Sequence, residues 1–157
     1  MEARLNLFAS PLAGKTLKHL VSAGKAISPA TLSVTIQELV RIRVSQINGC
    51  GFCLDMHTKE ATAAGEDPAR LHLVAAWREA TVFTDAERAA LELAEEGTRL
   101  ADAAGGVPDE VWSNAAKHFD EEQLVALVGT IALINAFNRL NVILQNPAGD
   151  YRVGQFA

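Results

Sequence analysis

Apolar positions recur every three or four residues along nearly the whole chain, the spacing of helices that bury one face. Residues 11–26 carry Leu12, Leu17, Leu20 and Val21 in that rhythm. Ser28-Pro29 then supplies an N-cap with proline at the first helical position, and Leu32, Ile36, Val40, Val44 and Ile47 draw one stripe along a long helix. Asn48-Gly49 ends that stripe with the chemistry of a tight reversal. A second helix is predicted from near Cys50 to about Ala64, closed by Gly65. Asp67-Pro68 opens a shorter helix through His72 and Trp77. Thr84 with Glu87 forms a capping box for a helix to about Ala103, and Gly105-Gly106 and Pro108 mark a break and restart. Asp120 with Gln123 caps a last long helix that runs to about Gln145 and stops before Pro147.

No stretch alternates with period two for long enough to make a strand, and no low-complexity linker divides the chain. The expected fold is all-α, one domain over residues 1–157. The last helix is apolar on several faces through LVALVGTIALI, which predicts a central helix or one buried against another subunit. Its longest uncharged apolar stretch, Leu124 to Asn138, is too short and too interrupted by Asn for a membrane span. The first residues mix charged and apolar side chains too evenly for a signal-peptide core, so a cytoplasmic location is expected.

Composition narrows the partners. The chain is 49% hydrophobic and 21% charged, as a soluble folded domain requires. A formal charge of -5 gives no electrostatic footprint for nucleic acid or an anionic membrane. In a reducing compartment a two-cysteine pair points to redox or metal chemistry before a structural staple.

The chemistry concentrates in Glu38-LVRIRVSQING-Cys50-Gly51-Phe52-Cys53-LDM-His57. At about 100° per residue, Cys50, Cys53 and His57 fall within roughly 60° of one another on one helix face. Both sulfurs can approach each other, and an imidazole one turn beyond Cys53 can take its proton. Cys50 lies in the first turn, where unpaired N–H groups and the macrodipole favour a thiolate. If the two helices double back at Asn48-Gly49 as an antiparallel hairpin, Glu38 and His57 stand at one level, about 15 Å from the turn. Glu38 then holds the imidazole tautomer and raises its basicity, in a carboxylate–imidazole–thiol line. Two buried structural thiols, or a zinc ion held by Cys50, Cys53, His57 and Glu38, fit the same residue types. Glu38 alone would more simply pair with Arg41. His19 and His118 fit surface positions and His72 a partly packed one, while Trp77, Phe83, Phe119 and Phe137 fit core or subunit contacts. Asn135, Asn138 and Arg139 are polar residues on an otherwise apolar helix, suited to satisfying buried backbone groups or lining a pocket.

RVSQINGCGFCLDMHTKEA resembles the core of the AhpD-like alkylhydroperoxidases, within the carboxymuconolactone decarboxylase group. The likeness extends through WREATVFTDAERAALELAE and into NAFNRLNVILQ, over roughly residues 30–145. It implies an all-α fold whose subunits associate as trimers or hexamers, and a peroxide-reducing dithiol with no cofactor. It implies that Cys53 attacks the hydroperoxide, activated through His57 and Glu38, that Cys50 resolves the sulfenic acid to a disulfide, and that a dithiol donor of the lipoyl or thioredoxin type restores the pair. The helix dipole favours ionising Cys50, whereas the expected His57 contact favours Cys53, and Cys53 is taken as the attacking thiol. One position departs from the family: a second histidine is usual just before the later cysteine, and Phe52 stands there. That loss weakens the proton path to Cys50. A carboxylactone decarboxylase on the same scaffold, or a zinc-bound or redox-sensing module, are the alternatives to a peroxidase.

Overall fold

The computed structural model describes residues 2–27 and 31–156. Among these residues there are seven α-helices and no strand: α1 (Pro11–Ala26), α2 (Val34–Ile47), α3 (Gly51–Ala63), α4 (Pro68–Leu73), α5 (Asp85–Thr98), α6 (Asp109–Ala115) and α7 (Glu121–Leu144). Two starts follow the predicted chemistry closely. Thr84 and Glu87 exchange hydrogen bonds in a capping box at α5, and Asp120 and Gln123 do the same at α7.

Other boundaries moved. The proposed Ser28-Pro29 start lies outside the described residues, and α2 begins at Val34, where the Ser33 hydroxyl accepts from the Ile36 N–H. Leu32, expected within the helical stripe, instead enters the core from the turn ahead of α2. The fourth helix stops at Leu73, and a 3-10 turn over Val74–Ala76 carries the chain to Trp77. α5 ends at Thr98, short of Ala103, because its buried stripe of Ala90, Leu91, Leu93 and Ala94 does not continue and Leu100 stands in solvent.

α2 is the axis of the molecule and packs against α3, α5 and α7. One of its faces sends Val40 and Val44 into a core shared with Leu93, Ala94, Leu127 and Ile131. The other sends Leu39 and Ile42 into a second core with Leu71, Val74, Trp77 and Phe83. Burying each large aliphatic side chain contributes about 1.5–3 kcal/mol, so this two-sided helix is fixed more firmly than any propensity term could fix it. By length and composition α7 could cross a bilayer. Here it packs against α1, α2, α3 and α5, and it carries the buried polar side chains Thr130 and Asn138. α1 is its least embedded neighbour, with no buried residue, and Leu12 stands 74% exposed.

After α7 the chain folds back over the start of α3. Asp55 accepts from the Gly149 and Tyr151 N–H groups at 2.7 and 3.1 Å. Lys59 donates to the Gly149 and Tyr151 carbonyls, and Glu60 accepts from the Gly154 N–H and the Tyr151 hydroxyl.

Candidate active site

Between α2 and α3 the chain turns through Gly49, whose φ of +66° is a left-handed value that glycine adopts without steric cost. Cys50 is the N-cap of α3, and its sulfur accepts from the Cys53 N–H at 3.4 Å. One end of an otherwise unsatisfied helix terminus is thereby closed by a thiol, where an oxygen side chain is usual. Both cysteines are free and almost wholly screened, Cys50 at 1% and Cys53 at 0% exposure.

The two sulfurs differ in what faces them. The Cys50 thiol is drawn down to about 7, first by the hydrogen bond from the Cys53 side chain and against the cost of burial, with further help from the Cys53 N–H and the Asn138 amide. The Cys53 thiol is pushed up, because it serves as the donor to Cys50 and is buried beside that charge. The two thiols thus shift in opposite directions, Cys50 toward the thiolate and Cys53 toward the thiol. The expectation placed the attacking thiolate on Cys53, whereas the direction of these two shifts favours Cys50.

Glu38 and His57 are joined as expected, Nδ1 to Oε2 at 2.8 Å, both largely buried. Burial alone would raise the Glu38 carboxyl, but the hydrogen bond and charge of His57, followed by Arg41, hold it below the usual range. Arg41 also bonds the other Glu38 oxygen and the Gln37 side chain at 2.9 Å, so the simple surface pairing and the site pairing coexist. With Nδ1 committed to a carboxylate, the imidazole has Nε2 left for proton transfer. Among the described residues no group of three or more His, Cys, Asp or Glu side chains is arranged to hold a metal ion.

α7 contributes what the sequence pattern did not assign. Asn135, Asn138 and Asn141 recur every third residue and so share a face. Asn48 donates to the Asn135 and Asn138 oxygens at 3.0 and 2.9 Å, and Asn138 donates to Ser45 at 3.0 Å. Asn141 donates to the Cys53 sulfur at 3.4 Å. The three-residue spacing is the signal in the sequence, and it shows only when Asn141 is set beside Asn135 and Asn138. Arg139 stays exposed and bonds Asn135. Phe52, in place of the second histidine, is half-buried against the core, and its ring lies 6.3 Å from that of Phe156. His19, His118 and also His72 are exposed, the last contrary to expectation, while Trp77, Phe83 and Phe119 are core.

The chain is similar to known proteins. The model of the carboxymuconolactone decarboxylase family matches residues 11–96. The uncharacterised protein YdfG of Bacillus subtilis is 39% identical over 137 residues, covering 87% of this chain and 92% of that protein. The uncharacterised protein YnjA of Escherichia coli is 32% identical over 117 residues, 74% of this chain and 63% of that one. Among solved structures, an Agrobacterium tumefaciens protein of unknown function, named as a candidate AhpD antioxidant-defence protein, superposes with a TM-score of 0.86. It is 31% identical, and the match covers 96% of this chain and all of that one. The debrominase Bmp8 shares the fold at a TM-score of 0.75 and 16% identity, over 92% of this chain and 75% of its own.

Proposed function

The chain belongs to the carboxymuconolactone decarboxylase family, and from that premise we propose that it is a dithiol oxidoreductase that reduces hydroperoxides at Cys50 and Cys53. The observation that carries the proposal is the pair of free thiols at the start of α3, where the Cys53 N–H donates to the Cys50 sulfur at 3.4 Å and Cys50 is lowered to about 7. A thiol so placed is about half thiolate at neutral pH, and the thiolate is the attacking species. Support also comes from the Glu38–His57 pair one helical turn beyond Cys53.

In this scheme the Cys50 thiolate attacks one peroxide oxygen, the O–O bond breaks, and Cys50 becomes a sulfenic acid. The departing alkoxide leaves as alcohol with the Cys53 proton, relayed through Nε2 of His57. The Cys53 thiolate then attacks the sulfenate sulfur and displaces hydroxide, which becomes water on protonation, and the Cys50–Cys53 disulfide closes. An external dithiol, of lipoyl or thioredoxin type, gives up two electrons and two protons to reopen it. The resemblance implied the reverse order of attack, with Cys53 first; the charge on Cys50 favours Cys50 as the first to attack. A cytoplasmic location, with no nucleic-acid or membrane partner, belongs to the same proposal. So does self-association as a trimer or hexamer, for which Val125 and Ile143 on α7, 66% and 62% exposed, offer an apolar face. A carboxylactone decarboxylase would leave both thiols idle.

The test is to titrate reduced protein with hydrogen peroxide and with an organic hydroperoxide, following free thiols and intact mass. Loss of both thiols with a decrease of about 2 Da supports the cycle. Thiols that stay inert to both oxidants overturn it. Trapping the sulfenic acid in Cys53→Ser and Cys50→Ser proteins then decides the order of attack.

A further inference from the structure

α7 ends in an unusual way. Gln145 adopts φ +54° and ψ +44°, a left-handed conformation that a non-glycine residue reaches only against steric resistance from its own Cβ. The Gln145 N–H bonds the Val142 carbonyl and the Asn146 N–H bonds the Asn141 carbonyl at 3.0 Å, the two hydrogen bonds of a Schellman stop. Glycine usually fills that position. What the turn accomplishes here is to set Asn146 against Asn141.

The amide of Asn141 is held on three sides. Its nitrogen donates to the Phe137 carbonyl at 2.9 Å and to the Cys53 sulfur at 3.4 Å, and its oxygen accepts from the Asn146 side chain at 2.7 Å. A backbone carbonyl can only accept, so the orientation with nitrogen toward Phe137 and Cys53 is the one that satisfies every partner. Asn146 in turn opens the segment that Asp55, Lys59 and Glu60 bind down along α3. That segment runs close above the cysteine pair, since a methyl group on Gly51 would meet the Ala148 Cβ at 3.3 Å.

We propose that this C-terminal segment, residues 146–156, is part of the thiol site, with Asn146 the positioning residue that turns the Asn141 amide N–H onto the Cys53 sulfur. The role deepens the dithiol proposal and rests on it for its chemical purpose. An N–H aimed at Cys53 stabilises the thiolate that forms there when that thiol gives up its proton, and again when the disulfide is opened by a reductant. The other groups that act on Cys53 are Cys50 and Asn138, with the Glu38–His57 pair beyond them on α2 and α3. The hydrogen bonds of Asn146 go to Asn141 and to none of these, so its effect is separable from theirs.

The experiment uses full-length Cys50→Ser protein, in which Cys53 titrates without a competing thiolate, and follows thiolate absorbance against pH. Asn141→Leu should raise the Cys53 midpoint by about half to one pH unit, the size expected on losing one hydrogen bond to a charged group through a weakly accepting sulfur. Asn146→Ala should move it in the same direction by a smaller amount, although it touches no sulfur. Asp55→Ala, which frees the segment without altering either Asn, provides an independent check and should also raise the midpoint. A midpoint unchanged in both Asn146→Ala and Asp55→Ala overturns the proposal. If the midpoints move but the wild-type thiols ignore peroxide, the positioning role stands and the peroxidase scheme falls.

Discussion

Two buried carboxylates on neighbouring helices have opposite surroundings. Glu95 on α5 is 1% exposed and meets Arg43 at 2.6 Å, Trp77 at 2.9 Å, Arg99 at 3.3 Å and Arg78. Burial pushes its carboxyl up, but Arg78, Trp77 and Arg43 overcome that and hold it at about 2. Arg78 also stacks over the Trp77 ring at 4.3 Å, so the cluster ties α2, the turn after α4 and α5 into one unit. Glu38, by contrast, divides its two oxygens between Arg41 and His57. Its acid is held low as well, yet one of its partners is an imidazole with a ring nitrogen to spare. A carboxylate saturated by permanent cations can only hold a fold together. One shared with an imidazole can also govern where a proton goes.

That contrast breaks first at Glu95. Glu95→Ala should cost about 3–5 kcal/mol in urea or thermal unfolding, because Arg43 and the Trp77 N–H are left buried without a partner. Thiol alkylation in the folded fraction should be unchanged; a slowed alkylation would merge the two sites. Next, Glu38→Gln should slow peroxide-driven disulfide formation by about 100-fold while leaving a cooperative melt, the loss expected when a proton-transfer group is no longer oriented. An unaltered rate would reduce Glu38 to a structural acid like Glu95.

Acid titration sharpens the same distinction. Because Glu95 sits at about 2 when folded against an ordinary 4.5, its stabilisation is complete above about pH 4.5 and is lost as pH falls toward 2. Acid unfolding curves for Glu95→Gln should therefore lose part of their slope in that window, whereas alkylation of the wild-type protein should rise through about pH 7 as Cys50 ionises. The smallest effect is expected at Arg99, whose side chain is 43% exposed. Arg99→Ala should cost at most about 1 kcal/mol in a thermal melt, since a solvated partner at the rim adds little.

The helix starts were legible because caps are local. Thr84 to Glu87 and Asp120 to Gln123 are written within four residues and need no knowledge of the core. The Glu38–His57 pairing was legible for a related reason: one short turn fixes which residues of two adjacent helices stand level. What escaped was non-local or lay between two such signals. Asn141 meets Cys53 across 88 residues, and Glu95 meets Arg43 across 52, with nothing in either segment that marks the partner. The last residues have no apolar period at all, because polar anchors on α3 hold them down. The order of the two sulfurs is not legible in the spacing, because it depends on the direction of a single imidazole ring.

The screening of both sulfurs carries over into kinetics. A reagent in solution cannot meet a thiol at 1% or 0% exposure until some part of the cover moves. The rate should therefore rise with oxidant concentration only until it reaches the frequency of that local opening, and then level off. At saturation, small and bulky hydroperoxides should share one ceiling, because the clock is then the protein's and no longer the reagent's.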